Sequence, residues 1–257
     1  MNIFKQLVKS IYSPKDIAYF RFQGIGKTIL YVFLLTFISI LPTIIYMSTA
    51  LSSGLDTAKT FIQDEAPDFS IHNGHLTAKT EVPVTKNHDG FTFFLDPTGT
   101  VSAEDVADAG NAFALLKDEF VLAAGGQSDP YPYSMMEGLN INNQKLIDLI
   151  DSISGLKGII IPVISIFIYL FSSASSFIEV SILALIGLVL KNMTGRKLTY
   201  RHLWRMAAYS ETLPTLFFTV MAALKTTVPN TFLINWVVAI IVLLLAIKEI
   251  PRPKKAS

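Results

Sequence analysis

The chain has 257 residues, of which 51% are hydrophobic and 16% are charged, and it has no cysteine. Soluble domains carry about 25% charged residues, so the composition excludes an ordinary soluble protein, and the lack of cysteine excludes a disulfide-stabilised one. The net charge of +1 hides two opposite parts: residues 49–157 hold sixteen acidic and six basic side chains, and the remainder holds four acidic and fifteen basic ones.

The first predicted element is a short amphipathic helix inside an N-terminal segment of residues 1–27. Its apolar residues recur at helical spacing, and Ser13-Pro14 should end it because proline disfavours helix in the residue before it. The helix either lies in the inner membrane interface or packs on the protein's own cytoplasmic loops; the sequence leaves both open. The apolar residues are Ile3, Phe4, Leu7, Val8, Ile11 and Tyr12.

Four apolar segments then predict transmembrane helices at 28–49, 158–190, 207–224 and 231–247. A helix needs about 20 apolar residues to cross a bilayer core of roughly 30 Å. The first two segments meet that length. The last two, with a short linker at Lys225–Asn230, are predicted to form a hairpin.

Basic residues predict the orientation, since Lys and Arg near membrane ends stay on the cytoplasmic side. They cluster in 1–27, in a loop at 191–206 and in a tail at 248–257. Both termini are therefore predicted to be cytoplasmic, and the acidic residues 50–157 to lie outside the cytoplasm. The 33-residue segment 158–190 would be about 50 Å long as one helix, but this charge pattern requires a single crossing. A helix starting as early as Lys145 is expected.

The acidic insert 50–157 is predicted to be a small α+β domain. Asn73-Gly74 between alternating runs indicates a hairpin, and Phe91–Leu95 indicates a strand closed by a turn at Asp96-Pro97. Ser102 resembles a helix N-cap, with Asp105 three residues on. A helix carrying Val106, Ala109, Phe113, Leu116 and Phe120 is predicted to follow and to end at Gly125-Gly126. The fold class is thus an α-helical integral membrane protein with an inserted extracytoplasmic α+β domain.

Three histidines, His72, His75 and His88, stand among the carboxylates of this insert. Zinc sites usually show a tighter set of ligands, so a surface turn is the favoured interpretation. No metal, cofactor or catalytic residue is predicted.

Glu179 is the only charged residue between Gly158 and Leu190. An intramembrane carboxylate normally faces a partner or a wet cavity. Glu179 therefore either contacts an ion, proton or polar substrate, or is a protonated structural group bonded to nearby hydroxyls, or lies near the surface because the crossing begins later. Ser175, Ser176 and Glu211 complete the candidate polar site, and Glu211 has Arg201 and Arg205 as potential ion-pair partners. Pro214 is expected to kink the third span.

The chain resembles a known family at several motifs. Ser10–Ala18 (SIYSPKDIA), Phe20-Arg21, Gly24–Thr28 (GIGKT) and Tyr209–Pro214 (YSETLP) resemble Gram-positive bacterial membrane proteins catalogued as a domain of unknown function. Some members are labelled maltodextrin utilization proteins, and the family is distantly similar to Yip-type multi-span proteins. The resemblance implies a cell-membrane location and an association with sugar uptake, and it assigns no catalytic residues. Tyr131 and Tyr133 are the aromatic side chains that could stack on a sugar.

These observations predict a non-enzymatic multi-pass membrane protein whose outer domain senses, binds or docks a ligand or a partner. The lipid bilayer and a membrane protein such as a transporter are the expected partners, and no nucleic acid is expected. The alternative is a small transporter or channel that uses Glu179 in a broken-helix bundle. An enzyme acting on lipids or envelope polymers ranks third.

Overall fold

A computed structural model describes residues 1–88, 90–136 and 140–252 of the chain, without the side chains of His88 and Met136. Asp89, in the turn predicted to precede Phe91, and Lys254 and Lys255 of the predicted basic tail lie outside the described residues. The chain divides into two compact units. The helical unit is Met1–Tyr46 with Pro162–Ser257, and the mixed unit is Met47–Ile161.

Eight α-helices are described. They are α1 Ile3–Tyr12, α2 Pro14–Phe20, α3 Ile25–Thr60, α4 Ala103–Asp108, α5 Asn143–Thr194, α6 Tyr200–Ser210, α7 Thr212–Ala223 and α8 Thr231–Lys248. A π-helical turn, Phe61–Glu65, extends α3.

The N-terminal helix is confirmed, and its environment is now visible. Helix α1 begins after the Asn2 cap and ends before Ser13, which itself caps α2. Gln6 and Ser10 are buried on α1, and the helix packs against α2, α6 and α7. Phe4 stays 63% exposed. One face of α1 thus packs on the protein's own helices, while part of its apolar surface remains open.

The second apolar segment lies within one continuous helix, as predicted: α5 runs for 52 residues with Pro162 inside it. Helix α3 likewise contains Pro42. Three helices in the described part of the chain are long and apolar enough to cross a membrane, Ile25–Glu65, Asn143–Thr194 and Thr231–Lys248.

The segment 207–224, which was predicted to be the third transmembrane helix, does not form one continuous helix. The chain breaks at Glu211 into α6 of 11 residues and α7 of 12 residues. Pro214 has no N–H with which to bond the carbonyl of Ser210, so a helix cannot pass through this point with its ladder intact. A break replaces the predicted kink.

The core of the helical unit is formed by residues from α2, α3, α5, α6 and α8. Gly187 marks the tightest approach, because a Cβ there would lie 3.2 Å from the Cδ2 atoms of both Leu203 and Leu243. Helices α5, α6 and α8 therefore meet around a residue without a side chain.

The mixed unit contains two sheets. The strands are β1 Phe69–His72, β2 His75–Ala78, β3 Val84–His88, β4 Phe91–Leu95, β5 Ala112–Leu115, β6 Glu119–Ala124, β7 Gln127–Pro132 and β8 Ile141–Asn142. The small sheet has the order β2-β1-β8, and the large one β3-β4-β5-β6-β7. The predicted hairpin at Asn73-Gly74 is confirmed, with His72 paired to His75 across the turn. The strand at Phe91–Leu95 is also confirmed.

The predicted helix through Phe120 is wrong. Helix α4 does begin at the Ser102–Asp105 capping box, but it ends before Gly110, whose φ of +84° terminates it. Strands β5 and β6 follow. Strand β4 pairs in parallel with β5, which requires a crossover connection, and α4 lies in it. A strand buried on both faces is an unbroken run of apolar residues. Such a run, here Ala112–Leu116, also supplies apolar residues at helical spacing, which is why the sequence pattern predicts a helix in this segment.

The two faces of the large sheet have different neighbours. Ala112, Ala114 and Val121 pack against Val106 of α4. On the other face, Phe93 and Leu115 pack with Ile150 of α5 and Phe61 after α3. The sheet thus separates two small apolar cores.

Candidate functional site

Two glutamates of the helical unit line one small cavity of about 20 Å³. Such a volume holds roughly one water molecule. Glu179 comes from the C-terminal third of α5, and Glu211 from the break between α6 and α7. The hydroxyl-bearing residues Thr36, Ser176 and Thr215 also line the cavity, with Val32, Leu35, Val180 and Ala208 as apolar neighbours.

Glu211 is the more buried of the two acids. It is 5% exposed, and its Oε2 atom has no hydrogen-bond partner among the described residues. The predicted ion pair with Arg205 is not formed: the Arg205 guanidinium donates instead to the carbonyl oxygen of Arg21 at 2.8 Å. The side chain of Asn235, from α8, interacts with the Glu211 carboxyl group. A buried carboxyl group thus faces a cavity whose described lining residues include no Lys, Arg or His.

The hydroxyl groups around the cavity form a short chain between helices. Thr36 of α3 donates to the Oγ of Ser176 at 3.0 Å, and Ser176 donates to the carbonyl oxygen of Ser172 at 3.0 Å. Both oxygens keep a free lone pair. Of the four predicted site residues, the structure brings Glu179, Glu211 and Ser176 together, and Ser175 is not among the described lining residues.

A second, wider cavity of about 560 Å³ adjoins the first and shares two lining residues with it, Glu179 and Thr215. Ser39, Thr219 and Asn235 add polar groups to its wall. Glu179 is half-buried, so its carboxyl group is reached from the wider cavity.

Buried polar contacts fix the helix break that carries Glu211. The Tyr31 hydroxyl lies 2.5 Å from the Oγ1 of Thr212. The Tyr209 hydroxyl donates to Gln6 at 3.1 Å and accepts from Gln23 at 2.6 Å. Sequence analysis missed this network; the signal that could have found it was the polar Gln6 in the amphipathic helix α1.

The mixed unit holds a separate cavity of about 410 Å³, and every lining residue that the structure describes is apolar. Phe91, Phe93, Phe113 and Phe120 of the large sheet form one wall. Leu122 and Leu149 are 45% and 51% exposed. The remaining lining residues come from the end of α3 and the start of α5: Ala50, Leu51, Gly54, Leu55, Ala58, Ile62, Leu146, Ile150 and Ile153.

The histidines and tyrosines singled out from the sequence are not among the described lining residues of these cavities. His75 pairs with Asp118 at 2.6 Å, and His72 bonds to Asn140, so the two rings have different partners. No group of three metal-binding side chains occurs among the described residues. Tyr133 is 1% exposed, which contradicts its predicted availability for stacking on a sugar, and Tyr131 stacks on Phe120 at 4.8 Å.

Comparison with known proteins gives a family and no function. Residues 4–247 match the family described as protein of unknown function (DUF1189). Neither a curated protein nor a solved structure matches the chain. The match covers nearly the whole sequence, and the chain therefore belongs to the DUF1189 family of proteins of unknown function.

Proposed function

We propose that the protein is a non-enzymatic, membrane-spanning binding component whose mixed unit holds the acyl chain of a membrane lipid. The observation that carries this proposal is the cavity of about 410 Å³ with an apolar wall. Ligand pockets for small molecules typically measure about 300–1,000 Å³ and include a few polar groups that orient the ligand. The described lining of this cavity has none, so its chemistry suits a hydrocarbon chain.

A polar ligand fits this cavity poorly. A sugar that entered it would lose hydrogen bonds to water and gain none from the wall, a penalty of several kcal/mol. Sugar uptake, implied by the label of some similar proteins, would have to use another surface or a partner. The lining also offers no titratable or nucleophilic side chain among the described residues, which supports a binding role over an enzymatic one.

The helices that line the cavity indicate that the acyl chain comes from a membrane lipid. The cavity is lined by the end of α3 and the start of α5, and the same two helices contain the apolar segments 28–49 and 158–190. Leu156 and Ile159 of the mixed unit are exposed on α5 beyond the cavity. An acyl chain that moved from the bilayer into this cavity would exchange one apolar environment for another, so its hydrocarbon would not be exposed to water.

The topology in this proposal places both termini in the cytoplasm of a bacterial cell and the mixed unit on the opposite side of the cell membrane. It is supported by the basic segments 1–27, 191–206 and 248–257 and by the acidic insert. A lipid-binding component of this kind would act beside a membrane-protein partner, such as a transporter, which crosslinking in intact membranes would capture.

The test is photolabelling of the full chain in lipid nanodiscs with a phospholipid that carries a photoactivatable acyl chain. Labelled peptides are expected from β5, β6 and the start of α5. Gly54→Leu should abolish that labelling, because a side chain at Gly54 meets open space in the cavity wall. Gly155→Leu is the matched control: it also lies in a helix with open space around it, but it is not among the described lining residues. Equal labelling of the two variants in these peptides would contradict the proposal.

A small transporter or channel is the second candidate function. The observation in its favour is that Glu179 and Thr215 line both the small and the wide cavity of the helical unit. Reconstituted vesicles would then show a cation flux that Glu179→Gln abolishes. No flux, or flux unaffected by that substitution, would remove this candidate.

A further inference from the structure

We propose that the small cavity between Glu179 and Glu211 binds one positive charge, either a proton or a Na⁺ ion, held by the two carboxyl groups and the surrounding hydroxyls. This inference concerns the helical unit and does not depend on acyl-chain binding by the mixed unit. It holds whether or not the ion is afterwards moved across the membrane.

The first step is the balance of charge. Two carboxyl groups line the cavity, and none of its described lining residues is a Lys, Arg or His. Two negative charges cannot share a poorly solvated site without a counter-charge, since the repulsion and the loss of hydration add up. Arg205 of α6, the basic residue closest to Glu211 in sequence, donates a hydrogen bond to the backbone carbonyl of Arg21. A positive charge must therefore come from solution.

The second step is an unpartnered acceptor. Glu211 is more than nine-tenths buried, and its Oε2 atom accepts no hydrogen bond from the described residues. A buried oxygen without a partner is costly, and buried polar groups in folded proteins are nearly always satisfied. A proton or cation in the cavity supplies the missing contact.

The third step is the fit of size and donor type. About 20 Å³ admits one water-sized particle, which excludes a hydrated divalent ion such as Mg²⁺, because Mg²⁺ usually keeps several waters. The polar side-chain atoms that could act as cation ligands are all oxygens, from Glu179, Glu211, Thr36, Ser176 and Thr215. Oxygen ligands select hard cations, and both Na⁺ and the proton belong to that class.

The fourth step is access. Glu179 belongs to both cavities, so an ion that enters the wider one meets the half-buried carboxyl group first. Glu211 lies deeper. The groups facing the pair from each packed helix are Thr36 from α3, Ser176 from α5, Thr215 from α7 and Asn235 from α8. The two glutamates are the titratable members of this described set.

The experiment measures thermal unfolding of the full chain in detergent by tryptophan fluorescence. Wild type, Glu211→Gln and Ser175→Ala are compared in NaCl and in choline chloride at equal ionic strength, at pH 8 and pH 5.5. Ser175→Ala is the matched control because Ser175 neighbours Ser176 on α5 and is not among the described lining residues. Glu179→Gln provides a second variant at a half-exposed position if Glu211→Gln does not fold.

The two ions give different responses. If Na⁺ binds, wild type and Ser175→Ala unfold at least about 3 °C higher in NaCl than in choline chloride at pH 8, and the glutamine variants show no difference. If a proton binds, the unfolding temperature is the same in the two salts. The unfolding temperature of wild type then rises relative to that of Glu211→Gln when the pH is lowered from 8 to 5.5. Either result supports the site. A wild type that responds to neither ion, or a glutamine variant that responds as wild type does, would overturn it.

Discussion

Replacing Asp96 with asparagine removes the charge around which the turn after β4 is folded. Asp96 is fully buried. Its Oδ1 accepts from the backbone N–H of Thr98 at 2.8 Å and of Gly99 at 3.2 Å, and its Oδ2 accepts from the N–H of Val101 at 2.7 Å. In Asp96→Asn, an NH₂ group in place of Oδ2 would face the Val101 N–H. Hydrogen bonds to charged groups contribute about 1.5–3 kcal/mol each to stability. The free energy of unfolding should therefore fall by roughly 2–4 kcal/mol in this variant.

The same contacts give the turn a pH dependence. Burial opposes the charged form, but hydrogen bonds from the Thr98 hydroxyl and from the backbone N–H groups of residues 98, 100 and 101 outweigh it and lower the pKa of Asp96. A lowered folded-state pKa means that this stabilisation is complete above the unfolded-state pKa, about 3.9. It is lost as the pH falls from there toward the folded-state pKa. Asp96→Asn should lack this acid-labile component.

Hydrogen–deuterium exchange of the full chain measures the effect where it arises. The amides of β4 and β5 should exchange faster in Asp96→Asn, and the unfolding midpoint should fall by roughly 5–15 °C. Asp108→Asn, an exposed change at the end of α4, should leave both unaltered. If Asp96→Asn exchanged and unfolded as wild type does, the turn would not depend on the carboxylate.

Three further substitutions test separate packing claims by thermal unfolding of the full chain. Tyr209→Phe removes the hydroxyl shared by Gln6 and Gln23 and should destabilise by about 1–2 kcal/mol; an unchanged midpoint would show that the network is not formed. Gly187→Leu should overpack the point where α5, α6 and α8 meet and lower the free energy of unfolding by about 1–3 kcal/mol or more. An unchanged free energy of unfolding would refute that close approach. Gly54→Leu should instead stabilise α3 by up to about 1 kcal/mol, because Gly is a poor helix former; a large loss of stability would mean that the space beside it is filled.

Much of the secondary structure could be predicted because local chemistry specifies it. Asn73-Gly74 supplies the left-handed residues that the hairpin needs, and Ser102 with Asp105 forms the expected capping box. Charge correctly favoured one long helix for the second apolar segment. The helix predicted through Phe120 failed because burial on both faces of β5 removes the alternation that identifies a strand.

The candidate sites show a different limit. Glu179 stood out because it is an isolated charge in an apolar segment, and Glu211 because it lies at the start of the third apolar segment with Arg201 and Arg205 as potential partners. Their convergence with Thr36 and Thr215 depends on how four helix segments pack, and no local pattern encodes that. The apolar cavity is still harder to predict, because its residues come from several elements and each resembles ordinary core.

Native mass spectrometry of the full chain, released from lipid nanodiscs, tests acyl-chain binding most directly by counting the phospholipids that remain bound. The account predicts that wild type and Gly155→Leu retain one more tightly bound phospholipid per chain than Gly54→Leu. The same number of retained lipids in all three proteins would contradict it.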